Sequence, residues 1–219
     1  MIIIQARLNS QRLPGKVLKK ICGKPMLLYI FESLNKIKET KIVATSKFDH
    51  KIINFCKKHK VKYFASNLNN VAKRFFEICN SCDERYFVRI CADSPLIDYR
   101  LINKMLKIFK KNKMLFLSNR HQNFPPGQTV EIIDTNYFKK KYKYFKKKSH
   151  FEHVTTYFYE KELKKIDFYK SKKNFTNYKM SVDTNKDFLK ISKLIKIIKF
   201  KDFNLSFNKL VIKMNSLNI

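Results

Sequence analysis

The residues able to do chemistry fall into three short stretches. The first, Arg7-Leu8-Asn9-Ser10-Gln11-Arg12-Leu13-Pro14-Gly15-Lys16, gathers two guanidinium groups, a hydroxyl and an ammonium. Arginine's planar fork binds phosphate oxygens in pairs and lysine adds a point charge, so this set suits a polyphosphate. The second is Asp93 in Cys91-Ala92-Asp93-Ser94-Pro95-Leu96, and the third is Asp183 in Met180-Ser181-Val182-Asp183-Thr184. Two such carboxylates can hold Mg²⁺, which bridges phosphate oxygens. Plainer readings compete with each: a basic loop in a basic chain, a cap for the next helix at Asp93, an N-cap for the last helix at Asp183. Asp98 is better placed than Asp93 to cap its helix, which leaves Asp93 without a structural task. Pro126-Gly127-Gln128-Thr129-Val130-Glu131 and His150-Phe151-Glu152-His153-Val154-Thr155 carry polar groups suited to a hydroxylated ligand. His150 and His153, at i and i+3, could ligate a metal, but two histidines without a third ligand are usually structural or hydrogen-bonding.

These stretches must be positioned by regular elements. Ile2-Ile3-Ile4 opens a strand that feeds the first loop. Gly23-Lys24-Pro25 precedes a helix over 26–34. Strands are expected at 41–45, 61–64, 85–90 and 114–118, with helices at 49–58, 69–79 and 98–110. This alternation, at a spacing of roughly 20–25 residues, predicts βαβ units. A mainly parallel sheet with helices on both faces follows, with Asp93 and the opening loop at the strands' carboxyl ends, where such sheets bind phosphates. Beyond Ser118 the rhythm breaks. Strands are expected at 130–133, 166–169 and 178–182, a solvated basic segment at 139–148, one helix over 150–162, and an amphipathic helix over 187–200. The pattern reads as one domain over 1–200, with an inserted segment near 120–180, and a weakly patterned tail over 201–219.

Composition narrows the class. The chain has 219 residues, 44% of them apolar, enough for a core. The net charge of +31 invites a nucleic-acid reading, but only seven of the 48 basic residues are arginine and the lysines spread over every candidate helix. No aromatic-basic motif stands out, so specific nucleic-acid binding is not expected. The three glycines, Gly15, Gly23 and Gly127, and the five prolines cluster in the candidate loops. Five irregularly spaced cysteines and no secretory signal suggest a reduced, cytoplasmic setting. Cys79-Asn80-Ser81-Cys82 lacks the second ligand pair of a zinc site. No apolar run is long enough to span a membrane. The opening loop is neither a Walker A motif nor a dinucleotide turn.

Taken in order, Ile4-Gln5-Ala6-Arg7…Ser10…Arg12-Leu13-Pro14-Gly15-Lys16, Gly23-Lys24-Pro25-Met26, Val43-Ala44-Thr45-Ser46, Arg89…Asp93…Pro95-Leu96-Ile97-Asp98, Glu152-His153-Val154-Thr155 and Val182-Asp183-Thr184…Asp187-Phe188 resemble the cytidylyltransferases that activate acidic sugars. Those acting on acylneuraminate and 3-deoxy-manno-octulosonate belong here, and the branch labelled spore coat polysaccharide biosynthesis is the nearest in motif order. The resemblance implies a three-layer α/β/α nucleotide-diphospho-sugar transferase (Rossmann-like) fold. It also implies a Mg²⁺-dependent transfer of CMP from CTP to a sugar, with pyrophosphate released. By the same resemblance Arg7 and Lys16 act on the triphosphate. Ala6, Ser10, Arg12, Thr45, Ser46 and Arg74 line the nucleotide side, Gln128, Glu131, Glu152 and His153 the sugar side, and Asp93 and Asp183 hold the metal. A homodimer built through residues 120–180 is implied as well. Two other classes remain: a sugar-nucleotide-binding glycosyltransferase of related fold, whose usual D-x-D motif is missing here, and a non-catalytic basic protein that binds nucleic acid.

Overall fold

The computed structural model describes residues 1–66, 70–198 and 205–219. Among these, a seven-stranded sheet has the order β5-β4-β1-β6-β8-β7-β9. Its strands are β1 (Ile2–Gln5), β4 (Lys41–Ser46), β5 (Tyr63–Ser66), β6 (Tyr86–Cys91), β7 (Phe116–Ser118), β8 (Glu131–Asp134) and β9 (Ile166–Phe168). The β1–β4, β1–β6, β4–β5 and β7–β9 pairs are parallel, while β8 runs antiparallel to both β6 and β7. A small hairpin, β2 (Lys20–Ile21) with β3 (Lys24–Pro25), stands apart from the sheet.

The sequence explains why β1 lies at the centre. Side chains alternate across a strand, so a strand covered on both faces must be apolar at every position. Ile2, Ile3 and Ile4 are all fully buried, contributing roughly 1.5–3 kcal/mol each. Ile2 and Ile4 pack into the layer formed by α1 (Met26–Leu34), α2 (His50–Lys58) and α4 (Tyr99–Lys111). Ile3 packs into the opposite layer, with Phe75 of α3 (Val71–Asn80), Phe138 of α5 (Thr135–Tyr142) and Phe158 of α7 (Thr156–Lys161). Phe87 and Val88 divide in the same way, as do Ile132 and Ile133. The result is the three-layer α/β/α arrangement with a mainly parallel mixed sheet.

Most expected elements are present within a few residues, and Asp98 caps α4 by accepting from the Arg100 backbone N–H. Two expected elements differ in ways that matter for the site. Residues 178–182 form no strand. Met180 and Ser181 donate backbone hydrogen bonds to the Pro126 carbonyl, and Val182 donates to that of Asp93 (2.8 Å). Bonds to two separate loops build no ladder, but they stitch the Asp183 segment onto the Asp93 loop. The single helix expected over 150–162 is instead α6 (Lys148–Glu152) and α7, broken at Val154, whose φ is +51°. That left-handed conformation is costly for a β-branched residue.

The C-terminal region is more ordered than its weak pattern suggests. Helix α9 (Phe207–Ser216) buries Leu210, Val211 and Met214 in a third apolar cluster with Met26, Tyr29 and residues of α8 (Asn185–Ile198). Its backbone N–H at Phe207 donates to the Asp98 carboxylate. The last two positions of the helix expected over 187–200, the start expected at Asn69, and positions 201–204 lie outside the described residues.

Gly127 is required twice over. Its φ is +99°, and a Cβ there would come within 2.5 Å of the Ser181 backbone nitrogen. Gly127→Ala should therefore destabilise the fold by about 2–4 kcal/mol, read as a lower urea midpoint. An unchanged midpoint would show that the contact between the 127 turn and the Asp183 segment is not rigid.

Candidate active site

A cleft of about 1110 Å³ opens at the carboxyl ends of β1 and β6. In open parallel sheets the crevice falls where the strand order reverses, and here the chain runs from β1 out to β4 and β5 before returning to β6 on the other side. The opening loop forms one wall. Its Leu8 carbonyl accepts from the Ser10 and Gly15 N–H groups, closing a tight turn. Gly15 takes φ +67° and starts a short 3₁₀ turn, Lys16–Leu18. Leu13 and Val17 are buried in different apolar clusters on either side of Lys16.

Lys16 is consequently aimed inward. Its Nζ donates to Asp93 Oδ2 (3.0 Å), to the Val182 carbonyl (2.7 Å) and to Asp183 Oδ1 (3.2 Å). The two distant carboxylates thus converge on one ammonium. Asp183 is not the N-cap of α8. Thr184 fills that place: its hydroxyl accepts from the Asp187 N–H, and Asp187 Oδ2 accepts from the N–H groups of Asp183 and Thr184. This reciprocal pair is a capping box, and it releases Asp183 for the cleft. Arg12 also lies 3.3 Å from Asp183 Oδ1, and Lys179 lies 3.0 Å from Oδ2. Burial raises the proton affinity of Asp183, but Lys179 and Lys16 outweigh it and hold the carboxyl below the usual range. Asp187 is opposed by burial too, yet Lys179 and the Thr184 and Asp183 N–H groups bring it down to about 2.

The donor set fits Mg²⁺. That ion takes one or two protein carboxylates and completes its shell with water and nucleotide phosphates. Asp93 and Asp183 already share a cation, and no cluster of three His, Cys, Asp or Glu residues offers an all-protein cage among the described residues.

Of the remaining residues read from the sequence, Arg7, Ser10, Glu152 and His153 line the cleft. Arg7 Nη1 reaches Glu152 Oε1 (3.4 Å) across it. Ala6, Thr45, Ser46 and Arg74 are buried and do not line it. Thr45 donates to Asp49 Oδ2, which also accepts from the Ser46 N–H, and Asp49 Oδ1 accepts from the Leu8 N–H. Asp49 thus ties β4 to the opening loop. Arg74 feels this carboxylate, but burial and Arg7 together lower its proton affinity.

Gln128 and Glu131, expected on the sugar side, require correction: neither faces the cleft. Gln128 is fully buried, donating to the Leu96 carbonyl (2.7 Å) and accepting from the Asp98 N–H (2.9 Å). Glu131 is 1% exposed and accepts from Arg89 (2.5 Å), Tyr159 (2.8 Å) and Thr155 (3.3 Å). A buried carboxylate must be paired, and Glu131 is. Its partner Arg89, also bonded to Gln5 Oε1, does reach the cleft floor. Burial disfavours the Arg89 charge, but Arg89 is held above its ordinary value, with the Glu131 carboxylate bonded to it. Burial pushes the neighbouring Cys91 thiol up to about 11, which favours its protonated form near neutral pH.

Sequence reasoning missed several contributors. Asp49 stood out only as a helix start. Lys146 and Lys148 line the cleft, so part of the basic 139–148 segment faces the site. In so lysine-rich a chain, one more lysine carries no signal. His150 holds that segment: its Nδ1 accepts from the Lys146 and Lys147 N–H groups, which leaves Nε2 to donate to Glu160.

Fold and cleft define an α/β protein that sets several cationic side chains around paired carboxylates at the ends of its strands. The chain belongs to the cytidylyltransferase family, whose model matches residues 1–212. It is a CTP-dependent nucleotidyltransferase, as that family is. It is 30% identical over 180 residues to the 3-deoxy-manno-octulosonate cytidylyltransferase of Fusobacterium nucleatum, covering 74% of this chain and 73% of that one. It is 24% identical over 208 residues to the spore coat polysaccharide biosynthesis protein SpsF of Bacillus subtilis, covering 89% and 85%. Its fold matches a solved cytidylyltransferase from Leptospira borgpetersenii at a TM-score of 0.92 and 27% identity, over 99% of this chain and 94% of that chain. No helix among the described residues is long and apolar enough to cross a membrane.

Two measurements separate scaffold from site. Glu131→Ala strands Arg89 and should cost about 3–5 kcal/mol of stability, whereas Glu152→Ala, breaking an exposed pair, should cost about 1 kcal/mol or less. Equal losses would undo the division. Because Asp187 sits below its ordinary 3.8 in the folded chain, its stabilisation is present at neutral pH and is lost as pH falls toward 2. Acid titration of stability should be shallower in Asp187→Asn over that window; identical acid limbs would contradict the assignment.

Proposed function

We propose that the enzyme transfers CMP from CTP to a hydroxyl of an acidic keto-sugar or a related sugar, releasing pyrophosphate, in the assembly of surface polysaccharides or glycans. The observation that carries this reading is the convergence of Asp93 and Asp183 on the Lys16 ammonium, with Arg12 on Asp183 and Arg7 lining the same cleft. The sugar oxygen attacks the α-phosphorus, the bond from that phosphorus to the bridging oxygen breaks, and pyrophosphate leaves with the electron pair. The hydroxyl proton passes to solvent. Such a transfer asks for positioning and charge neutralisation rather than a protein nucleophile.

In this reading Arg7, Arg12 and Lys16 grip the triphosphate, with Ser10 donating to it. Asp93 and Asp183 hold Mg²⁺, which when bound neutralises phosphate charge. Ala6, Thr45, Ser46 and Arg74 form the wall behind the nucleoside, and their burial supports a scaffolding role there. Glu152 and His153 orient the sugar. Lys146 and Lys148 on the cleft wall support an anionic acceptor. The chain acts as a homodimer through residues 120–180, a segment that includes the edge strand β9 and exposes Leu163 and Phe168.

The decisive assay measures pyrophosphate released from CTP with Mg²⁺ across a panel of keto-acid and neutral sugars. Release is expected with an acidic sugar, and Asp93→Asn or Asp183→Asn should slow it by about 10²-fold or more while melting normally. No release with any sugar, or full activity in either variant, overturns the reading.

A further inference from the structure

Asp183 is held from behind by an element the proposed chemistry does not use. Lys179 does not line the cleft, yet its Nζ lies 3.0 Å from Asp183 Oδ2 and 2.7 Å from Asp187 Oδ2. Asp187 is itself fixed, its Oδ2 accepting from the Asp183 N–H (3.0 Å), the Thr184 N–H (2.9 Å) and the Thr184 hydroxyl (3.0 Å). Lys179 is therefore pinned to the first turn of α8. The two oxygens of Asp183 are divided in consequence: Oδ2 is spent on Lys179, while Oδ1 meets Lys16 (3.2 Å) and Arg12 (3.3 Å) on the cleft side.

We infer that Lys179 is a positioning residue that sets the ion preference of the site, leaving Asp183 a single oxygen for a cation and so favouring Mg²⁺ over Ca²⁺. This rests on the proposed reading of Asp93 and Asp183 as metal ligands. The physical ground is denticity. Mg²⁺ is small and demands near-octahedral geometry with one oxygen from each carboxylate, whereas Ca²⁺ accepts six to eight oxygens and readily takes both from one carboxylate. A carboxylate whose second oxygen is tied down matches the first ion and penalises the second. Partners behind a ligand commonly control metal affinity in this way. Lys179 would also lower the affinity for any dication by charge repulsion, but that effect is the same for Mg²⁺ and Ca²⁺, so the ratio of the two affinities isolates orientation.

The test uses the full chain with saturating α,β-methylene-CTP and bound Mn²⁺ followed by electron paramagnetic resonance, displaced with MgCl₂ or CaCl₂. Metal binding by the free nucleotide is common to all proteins compared. Lys179→Met should shift the Ca²⁺/Mg²⁺ affinity ratio toward Ca²⁺ by about 10-fold or more, and Lys179→Arg should keep the wild-type ratio. Should Lys179→Met lose its circular dichroism signal, Lys179→Leu, which likewise carries no donor, takes its place with the same expected direction. An unchanged ratio in the folded variant, even with both affinities altered, overturns the inference and leaves Lys179 as a simple counter-charge. Failure of the underlying reading looks different: adding wild-type protein would then leave the Mn²⁺ spectrum of the metal–nucleotide mixture unchanged.

Discussion

Three hydrogen bonds from one ammonium organise this molecule's site. A lysine Nζ has three N–H groups, and those of Lys16 go to Asp93, to the Val182 carbonyl and to Asp183. The acceptors come from parts of the chain far apart in sequence. Without it Asp93 would bring uncompensated negative charge, and Val182 an unpaired carbonyl, into a partly enclosed cleft, which is costly. The ammonium makes their proximity favourable and fixes the two carboxylates side by side in the cleft.

The rest of the structure supplies that ammonium with a fixed position. Strand β1 is buried on both faces, so its carboxyl end cannot drift. The Leu8 carbonyl closes the opening loop, Asp49 holds the Leu8 N–H, and Leu13 and Val17 anchor the loop in separate clusters. On the far side, the close approach of Gly127 to Met180 and Ser181 lets the Asp183 segment lie against the Asp93 loop. A chain that uses glycine sparingly keeps one at the start of the Lys16 turn and one at this contact, and both take positive φ. The lysine-rich composition, by contrast, gives a general attraction for anions without choosing among them.

The cleft also shows how a polar residue can belong to a site's foundation rather than its surface. Glu131 and Gln128 lie in the same stretch as the Gly127 turn, and their types suit a sugar. In the fold they are buried: Glu131 neutralises Arg89, and Gln128 bridges the Leu96 carbonyl to the Asp98 N–H. Their effect on a ligand passes through the groups they hold. Glu152 and His153 come from a segment that reads as one continuous helix, and they reach the cleft because Val154 breaks it.

By itself the sequence determined the layered α/β class, the buried opening strand Ile2–Ile4, the cationic loop after it and Asp93 at the end of its strand. Each follows from local pattern: apolar runs, alternation of elements, and rare residues kept at turns. The strand expected before Asp183 does not form. The order of those motifs also carried the family. Tertiary structure alone decided that Asp183 is free because Thr184 and Asp187 cap α8, that Gln128 and Glu131 face inward, that Asp49 and Lys179 brace the site, and that Lys146 and Lys148 reach the cleft. The physical reason is the same in every case. Whether a polar group is spent on the scaffold or left for a ligand depends on which distant partners satisfy its hydrogen bonds, and those partners are set by packing across the fold rather than by spacing along the chain.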